Sequence, residues 1–400
     1  MMSTAIPEID VCEVCGGRDL RSVLDLGGHP MCDDLVPVGE SRVCAEYPIE
    51  ILFCSECVTA HQRFQVPKRD LFPPTYHYRS RFTADVLDGM RRLVDMVAER
   101  YGSLEGRAVL DIGCNDGSLL GFFAERGART VGVEPTGAGA DAAEKGHRVF
   151  TDYFTTALAG EIAAEIGRPK VITFTNVFAH IEDLGDVLGG LAQLLDDDTK
   201  IVIENHYLGA IFERQQFDTF YHEHPRTYSC TSFYPMAKTL GLSVQHVEFP
   251  SRYGGNIRVV LGRGPEVRPE DVLAREREFA KRFDELRGQV ATWRTSSKER
   301  LQQLVAEHGP LRAKAFPGRA AILVRLLEID VDTIKVVHEK PGSMKLGHYV
   351  PGTRIPIVSD DEMDTEDSTP IVNLAWHISK EIRTYLTGRG YRGTVIDILG

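Results

Sequence analysis

Between residues 108 and 204 the chain repeats one pattern: a short apolar stretch, a turn, and an amphipathic segment of helical spacing. The apolar stretches fall at 108–112, 130–133, 171–174 and 200–204. Strands separated by helices pair in parallel, because a parallel neighbour needs a crossover that returns the chain to the same end of the sheet. Ahead of them, Val86, Met90, Leu93, Val94 and Val97 share one face of a predicted helix over 82–100. After residue 262 a long polar helix carries Phe279, Phe283, Leu286, Val290 and Trp293 at the spacing of a core or interdomain face. It breaks at Gly309-Pro310. Strand candidates at 333–337 and 370–375 and a helix over 379–387 then suggest a second α/β lobe.

A length of 400 residues exceeds one ordinary core and predicts two or three domains. Apolar and charged fractions of 42% and 26% are those of a soluble globular chain. A net charge of −12 argues against nucleic acid or an anionic membrane as partner. No apolar run reaches the length of a membrane span, and residues 1–11 lack the charged-then-apolar form of a signal peptide. Eight cysteines are too sparse for a secreted disulfide scaffold, so a cytoplasmic location is expected. No feature specifies an oligomeric state.

Residues up to about 74 are rich in Cys, Gly and Pro, with only short apolar stretches such as 47–53, so this segment needs a staple. Cys12 and Cys15 form one Cys-x-x-Cys pair, and Cys54 and Cys57 form another. Each spacing lets two thiolates reach one ion from a tight turn, and four sulfurs complete the tetrahedral shell of Zn²⁺. With no position left for water, the zinc is expected to be structural. Redox dithiols or free thiols are the alternative. Cys32, Cys44, Cys114 and Cys230 read as ordinary buried thiols.

Residues 109–117 read as a strand entering a turn that carries Gly113, Asn115 and Gly117 and opens a helix. The glycines do not have dinucleotide-loop spacing, and Asp111 precedes the turn. An acid there repels a pyrophosphate but suits a cationic sulfonium and its ammonium group. Glu134 ends the second strand, where an acid can accept ribose hydroxyls. Asp152 is placed for the adenine edge with the ring of Phe154 beside it. Their order predicts an S-adenosylmethionine site.

The stretch from Phe217 to His224 gathers two imidazoles, a phenol and two carboxylates. Methylating a carbon beside a carbonyl requires a base to remove a proton and a donor to stabilise the enolate. Histidine suits the first task at neutral pH, Tyr221 the second, and Glu223 can orient an imidazole. A metal site or a hydrated polar loop is the bland alternative.

With these residues in view, the chain resembles the three-domain C-methyltransferases that act on nucleotide-linked 4-keto-deoxysugars in antibiotic pathways. The resemblance rests on the two cysteine pairs, Tyr76-His77-Tyr78, Asp111 to Gly117, Asn176 to His180 and Tyr221 to His224. It continues through Tyr253-Gly254-Gly255-Asn256-Ile257-Arg258 and the tail from Pro351 to Ile357. It implies an α/β fold: a zinc-binding module over 1–74, a Rossmann-like methyltransferase domain over 75–265, and a C-terminal α/β lobe over 266–400 for substrate or nucleotide. It also implies that His224 is the base, with Tyr221, Glu223 and His180 near the reacting carbon, and that Tyr78 and Asn176 line the cofactor. The implied partner is a small molecule, a keto sugar on thymidine diphosphate. The chain departs from the pattern at 315–321, which holds one glycine where a small-residue loop is usual, at 338–345, and at Arg81. Methylation of another carbon or a hydroxyl on a different metabolite, or binding without turnover, are the competing readings.

Overall fold

The computed structural model describes residues 6–72, 79–82 and 84–400. The chain forms two compact units: Met1–Ser22, Leu52–Arg214 and Glu223–Lys281 make the first, and Val23–Ile51, Gln215–His222 and Arg282–Gly400 the second. The N-terminal segment contains β1 (Leu20–Pro30), β2 (Val36–Pro37), β3 (Glu46–Cys54) and β4 (Thr59–Gln62). Next along the chain come β5 (Ala108–Ile112), β6 (Arg129–Val133), β7 (Arg148–Phe150), β8 (Val171–Thr175) and β9 (Lys200–His206). β10 (Arg226–Thr227), β11 (Ser243–Glu248) and β12 (Asn256–Gly262) follow. β1, β3, β4 and β10 form a four-stranded sheet in that order.

The first unit is organised by a seven-stranded sheet of order β11-β12-β9-β8-β5-β6-β7. β5 to β9 run parallel, while β12 is antiparallel to β9 and β11 to β12. All residues of β5 and β9 are buried, which is why each carries a short apolar run, at 108–110 and 201–203. The helix Ala84–Tyr101 lays Val86, Met90, Leu93, Val94 and Val97 against Val109, Val171, Val202 and Val260. Its one-sided pattern was legible for that reason. β5 has β6 on one side and β8 on the other, so the chain reverses direction across the sheet at β5. Such a reversal opens a crevice at the carboxyl ends of the strands.

β12 carries polar residues that hide a strand from pattern reading, and the register explains them. Arg258 lies opposite Glu204 of β9. Glu204 is wholly buried and accepts from Arg258 Nε at 2.7 Å, from Asn256 Nδ2 at 2.9 Å, and from Arg252 Nε. One carboxylate thus ties two buried guanidiniums to the centre of the sheet.

The second unit contains β13 (Leu311–Lys314), β14 (Ile334–Glu339), β15 (His348–Tyr349), β16 (Ile357–Ser359), β17 (Ile371–Asn373) and β18 (Val395–Asp397). Five of these form a parallel sheet of order β16-β14-β13-β17-β18, and β15 pairs with β2. The expected strands at 333–337 and 370–375 are β14 and β17, and the expected last helix spans Ser379–Gly388. In the long helix Phe279–His308, Phe283, Leu286, Val290 and Trp293 are buried. Trp293 also donates its indole N–H to the carbonyl of Ile398 at 3.0 Å. These aromatics are core. Among the described residues no helix is long and apolar enough to cross a membrane.

Removing the Glu204 carboxylate deletes the anion that two buried guanidiniums share, Arg258 keeping its pair with Glu248. Glu204→Ala is expected to lower unfolding stability by about 3–5 kcal/mol, read from denaturant midpoints. A loss below about 1 kcal/mol, the scale of an exposed ion pair, would refute the network's role.

Candidate active site and zinc centre

The four Sγ atoms of Cys12, Cys15, Cys54 and Cys57 lie within 4.8 Å of one another. Cys12 and Cys57 are separated by 3.4 Å and Cys15 and Cys54 by 3.6 Å. Sulfurs about 2.3 Å from a tetrahedral zinc stand roughly 3.8 Å apart, so this cluster fits Zn²⁺ and leaves no open position. The first knuckle closes through Cys12 N–H to Gly17 O and Gly16 N–H to Cys12 O, both at 2.8 Å. Gly16 takes φ +76°, a conformation that favours glycine. Around the thiolates, His61 Nε2 lies 3.3 Å from Cys12 Sγ, and Thr59 Oγ1 lies 3.1 Å from Cys57 Sγ. Metal ligands are commonly oriented by partners of this kind.

Of the residues expected at the cofactor, Asp111, Gly113 and Asn115 lie in or just after β5, Glu134 just after β6 and Asn176 just after β8. Gly113 has φ +72°, and a Cβ there would lie 2.4 Å from Val177 Cγ2. Glycine is therefore favoured there by the backbone conformation and by the packing of the loop after β8. Asn115 takes φ +49° and donates its N–H to Glu134 Oε2 at 3.0 Å. Glu134 Oε1 accepts from Thr136 N–H and Oγ1 at 2.9 and 2.6 Å. A carboxylate offers about four acceptor sites, so Oε2 keeps capacity for a ligand hydroxyl.

Asp111 is buried and accepts from Thr173 Oγ1 at 2.6 Å. Burial drives its carboxyl up to about 7; the Thr173 hydrogen bond opposes this and the charge of Glu134 adds to it. Neither acid has a cationic side chain among its partners within the described residues. Two buried acids without a cation suit a positively charged ligand.

Asn176 ends β8 in the left-handed region, φ +55°. Its Oδ1 accepts from Asn256 Nδ2 at 3.1 Å, and Asn256 is in turn oriented by the carboxylate of Glu204. Because Glu204 can only accept, this chain turns the amide nitrogen of Asn176 away from Asn256, leaving it to donate elsewhere. Asp152 is exposed and accepts from Tyr153 N–H, while Phe154 is buried near Gly190. Tyr76, His77 and Tyr78 lie outside the described residues.

In the segment that begins at Phe217, the polar side chains divide. Asp218 pairs with Arg319 and accepts from Trp376 Nε1 at 2.9 Å. His222 donates to the carbonyl of Tyr47 at 3.1 Å, and burial holds its imidazole down to about 4. Both are structural groups of the second unit. Tyr221 is half-buried in the same stretch. In the first unit, His180 donates Nδ1–H to the main-chain carbonyl of Glu223 at 2.7 Å, and its ring meets that of His224 edge-on at 4.9 Å. Burial lowers the His180 imidazole to about 4, against backbone hydrogen bonds to Glu223 and Asn176 that raise it, so near pH 7 it is neutral. One contact from Glu223 to an imidazole thus runs through its backbone carbonyl, which no residue pattern announces.

Three family models match in sequence along the chain: a zinc binding domain over residues 12–72, a methyltransferase domain over 78–247, and a C-methyltransferase C-terminal domain over 251–395. With the cofactor crevice and the four-cysteine cluster, they make the chain an S-adenosylmethionine-dependent methyltransferase with a zinc-binding module. Along nearly its whole length it is similar to a three-domain C-methyltransferase. It is 29% identical to the C-methyltransferase NovU of Streptomyces niveus over 400 residues, spanning 95% of this chain and 93% of that relative. The ubiquinone biosynthesis O-methyltransferase of Bradyrhizobium sp. (strain ORS 278) is 32% identical over 122 residues, 30% of this chain and 47% of that protein. The magnesium protoporphyrin IX methyltransferase ChlM of Synechocystis PCC 6803 aligns with 45% of this chain and 84% of its own, at 16% identity and a TM-score of 0.37.

Protein purified without added metal is expected to hold one zinc per chain, and Cys54→Ser to lose it with much of the order of the N-terminal segment. Metal analysis finding none in the wild type would remove the centre. The raised Asp111 carboxyl carries a pH signature. The folded chain holds this proton more tightly than the unfolded chain does. The Asp111 contribution to stability therefore falls as pH rises from the unfolded carboxyl value of 3.8 toward about 7. Asp111→Asn is expected to lack that fall, so its stability relative to wild type should rise between about pH 4 and pH 7 in denaturant titrations. A pH-independent difference would contradict it.

Proposed function

We propose that this methyltransferase alkylates the carbon beside the ketone of a keto-deoxysugar carried on a nucleotide, thymidine diphosphate being the preferred carrier. The observation that carries the reading is the pair of edge-on imidazoles, His180 and His224, with His180 fixed as the Nδ1–H tautomer by Glu223. Carbon methylation needs a base that is neutral at working pH, and oxygen methylation needs much less. Similarity to NovU along nearly the whole chain supports the same class of reaction.

In this mechanism Asp111, Gly113, Asn115, Glu134 and Asn176 hold S-adenosylmethionine, which supplies an electrophilic methyl group on a cationic sulfur. Asp152, Phe154 and Tyr78 are assigned to the adenosine side. His224 takes the proton from the carbon beside the ketone, and the electron pair moves onto the ketone oxygen. Tyr221 donates to that oxygen, because a fixed donor favours the charge as it develops. The carbon then forms its bond to the methyl group as the sulfur–methyl bond breaks. His180, held neutral by burial and edge-on to His224, adds no positive charge beside the base.

The test uses thymidine-diphosphate-linked 4-keto-6-deoxyglucose in deuterated water without methyl donor. Wild type is expected to exchange the proton beside the ketone. His224→Ala should bind cofactor normally and lose about 10²–10⁴-fold in both exchange and turnover. Tyr221→Phe should lose rate while keeping cofactor affinity. Exchange at the wild-type rate in His224→Ala would transfer the base role to another residue. A wild type that exchanges no keto sugar but methylates a hydroxyl would end the carbon-methylation reading.

A further inference from the structure

The zinc centre is joined to the residues around both histidines by buried polar contacts that a free-standing metal module does not need. Glu13 sits between Cys12 and Cys15, so the zinc knuckle sets its position. Its carboxylate pairs with Arg226 Nη1 at 2.6 Å and accepts from Gln65 Nε2 at 2.8 Å. His61 Nδ1 is 3.7 Å from the same carboxylate, while Nε2 of that ring reaches Cys12 Sγ.

Arg226 is wholly buried two residues after His224. It donates Nε to the Tyr228 hydroxyl at 3.1 Å, and both terminal nitrogens point at the carbonyl of Glu182, at 3.5 Å, two residues after His180. The backbone makes the same link. β4 follows the second knuckle and pairs with β10, placing His61 opposite Arg226, and Gln62 N–H donates to the carbonyl of Pro225 at 2.8 Å. A second strut runs from Cys57 Sγ through Thr59 Oγ1 to Ser232 Oγ, the last contact at 2.8 Å.

We infer that the zinc knuckle positions the histidine pair, with Glu13 and Arg226 as positioning residues that transmit the order of the metal site to His224 and His180. A purely structural zinc would stabilise its own segment and leave the imidazoles indifferent to Glu13. Here Glu13 is the carboxylate partner of a buried guanidinium, and an unpaired buried cation forces local rearrangement. The groups next to move are the backbone before β10, which bears His224, and the turn after His180. The role assigned to these histidines rests on the reading proposed above; their coupling to the knuckle does not.

The experiment compares zinc-loaded, full-length wild type, Glu13→Gln, Glu13→Asp and Arg226→Lys. ¹⁵N-histidine spectra report the His180 tautomer, assigned by its absence in His180→Gln, and calorimetry reports affinity for S-adenosylhomocysteine. Glu13→Gln is expected to keep its zinc and its cofactor-product affinity, to alter the His180 signals, and to slow proton exchange about 10–100-fold. Glu13→Asp, which restores the charge, should recover part of the rate. Unchanged His180 signals and exchange in zinc-loaded Glu13→Gln overturn the inference. Loss of S-adenosylhomocysteine affinity in proportion to exchange overturns it too, since that marks general loosening. Should the wild type exchange no keto sugar, the proposed reaction falls while the spectra still decide the coupling.

Discussion

Asp111 is one of five consecutive buried positions in β5, and its carboxyl group has no cation beside it among the described residues. A strand covered on both faces has every reason to be apolar, and the carboxyl answers by holding its proton up to about 7. Glu134, at the end of the adjacent strand, adds a second buried acid. Near these acids Gly113 takes φ +72°, Asn115 donates its N–H to Glu134, and Asn176 follows β8 in the left-handed region.

Some other buried charges in the same unit are matched. Glu204 has Arg252 and Arg258, and Arg226 has Glu13. The contrast separates two uses of buried ionic groups. Matched sets hold strands and loops in register, and their removal is expected to cost stability. The unmatched acids Asp111 and Glu134 have no such cationic partner among the described residues, and burial drives the Asp111 carboxyl up to about 7. The matched sets also reach the site indirectly, since Glu204 orients Asn256 and through it the amide of Asn176.

The segment from Phe217 to His224 shows how far residue density can mislead. Asp218 and His222 add to the concentration of polar groups that marks this stretch, yet both make structural contacts, with Arg319 and Trp376 and with Tyr47. His180, more than forty residues earlier, is the ring in contact with His224. The resemblance named it, but spacing within the segment does not.

By itself the sequence determined whatever depends on near neighbours. The alternation of apolar strands and amphipathic helices, the Cys-x-x-Cys pairs, and the acid-then-glycine turn after β5 are local patterns. Backbone geometry converts such patterns directly into a parallel sheet, a metal knuckle and a cofactor loop. Tertiary structure alone decided which polar residues meet. Only the register of β12 placed Arg258 opposite Glu204, and only the pairing of β4 with β10 brought Arg226 to Glu13. Burial of a charge depends on partners distant in the chain, and a one-dimensional pattern carries no record of that distance.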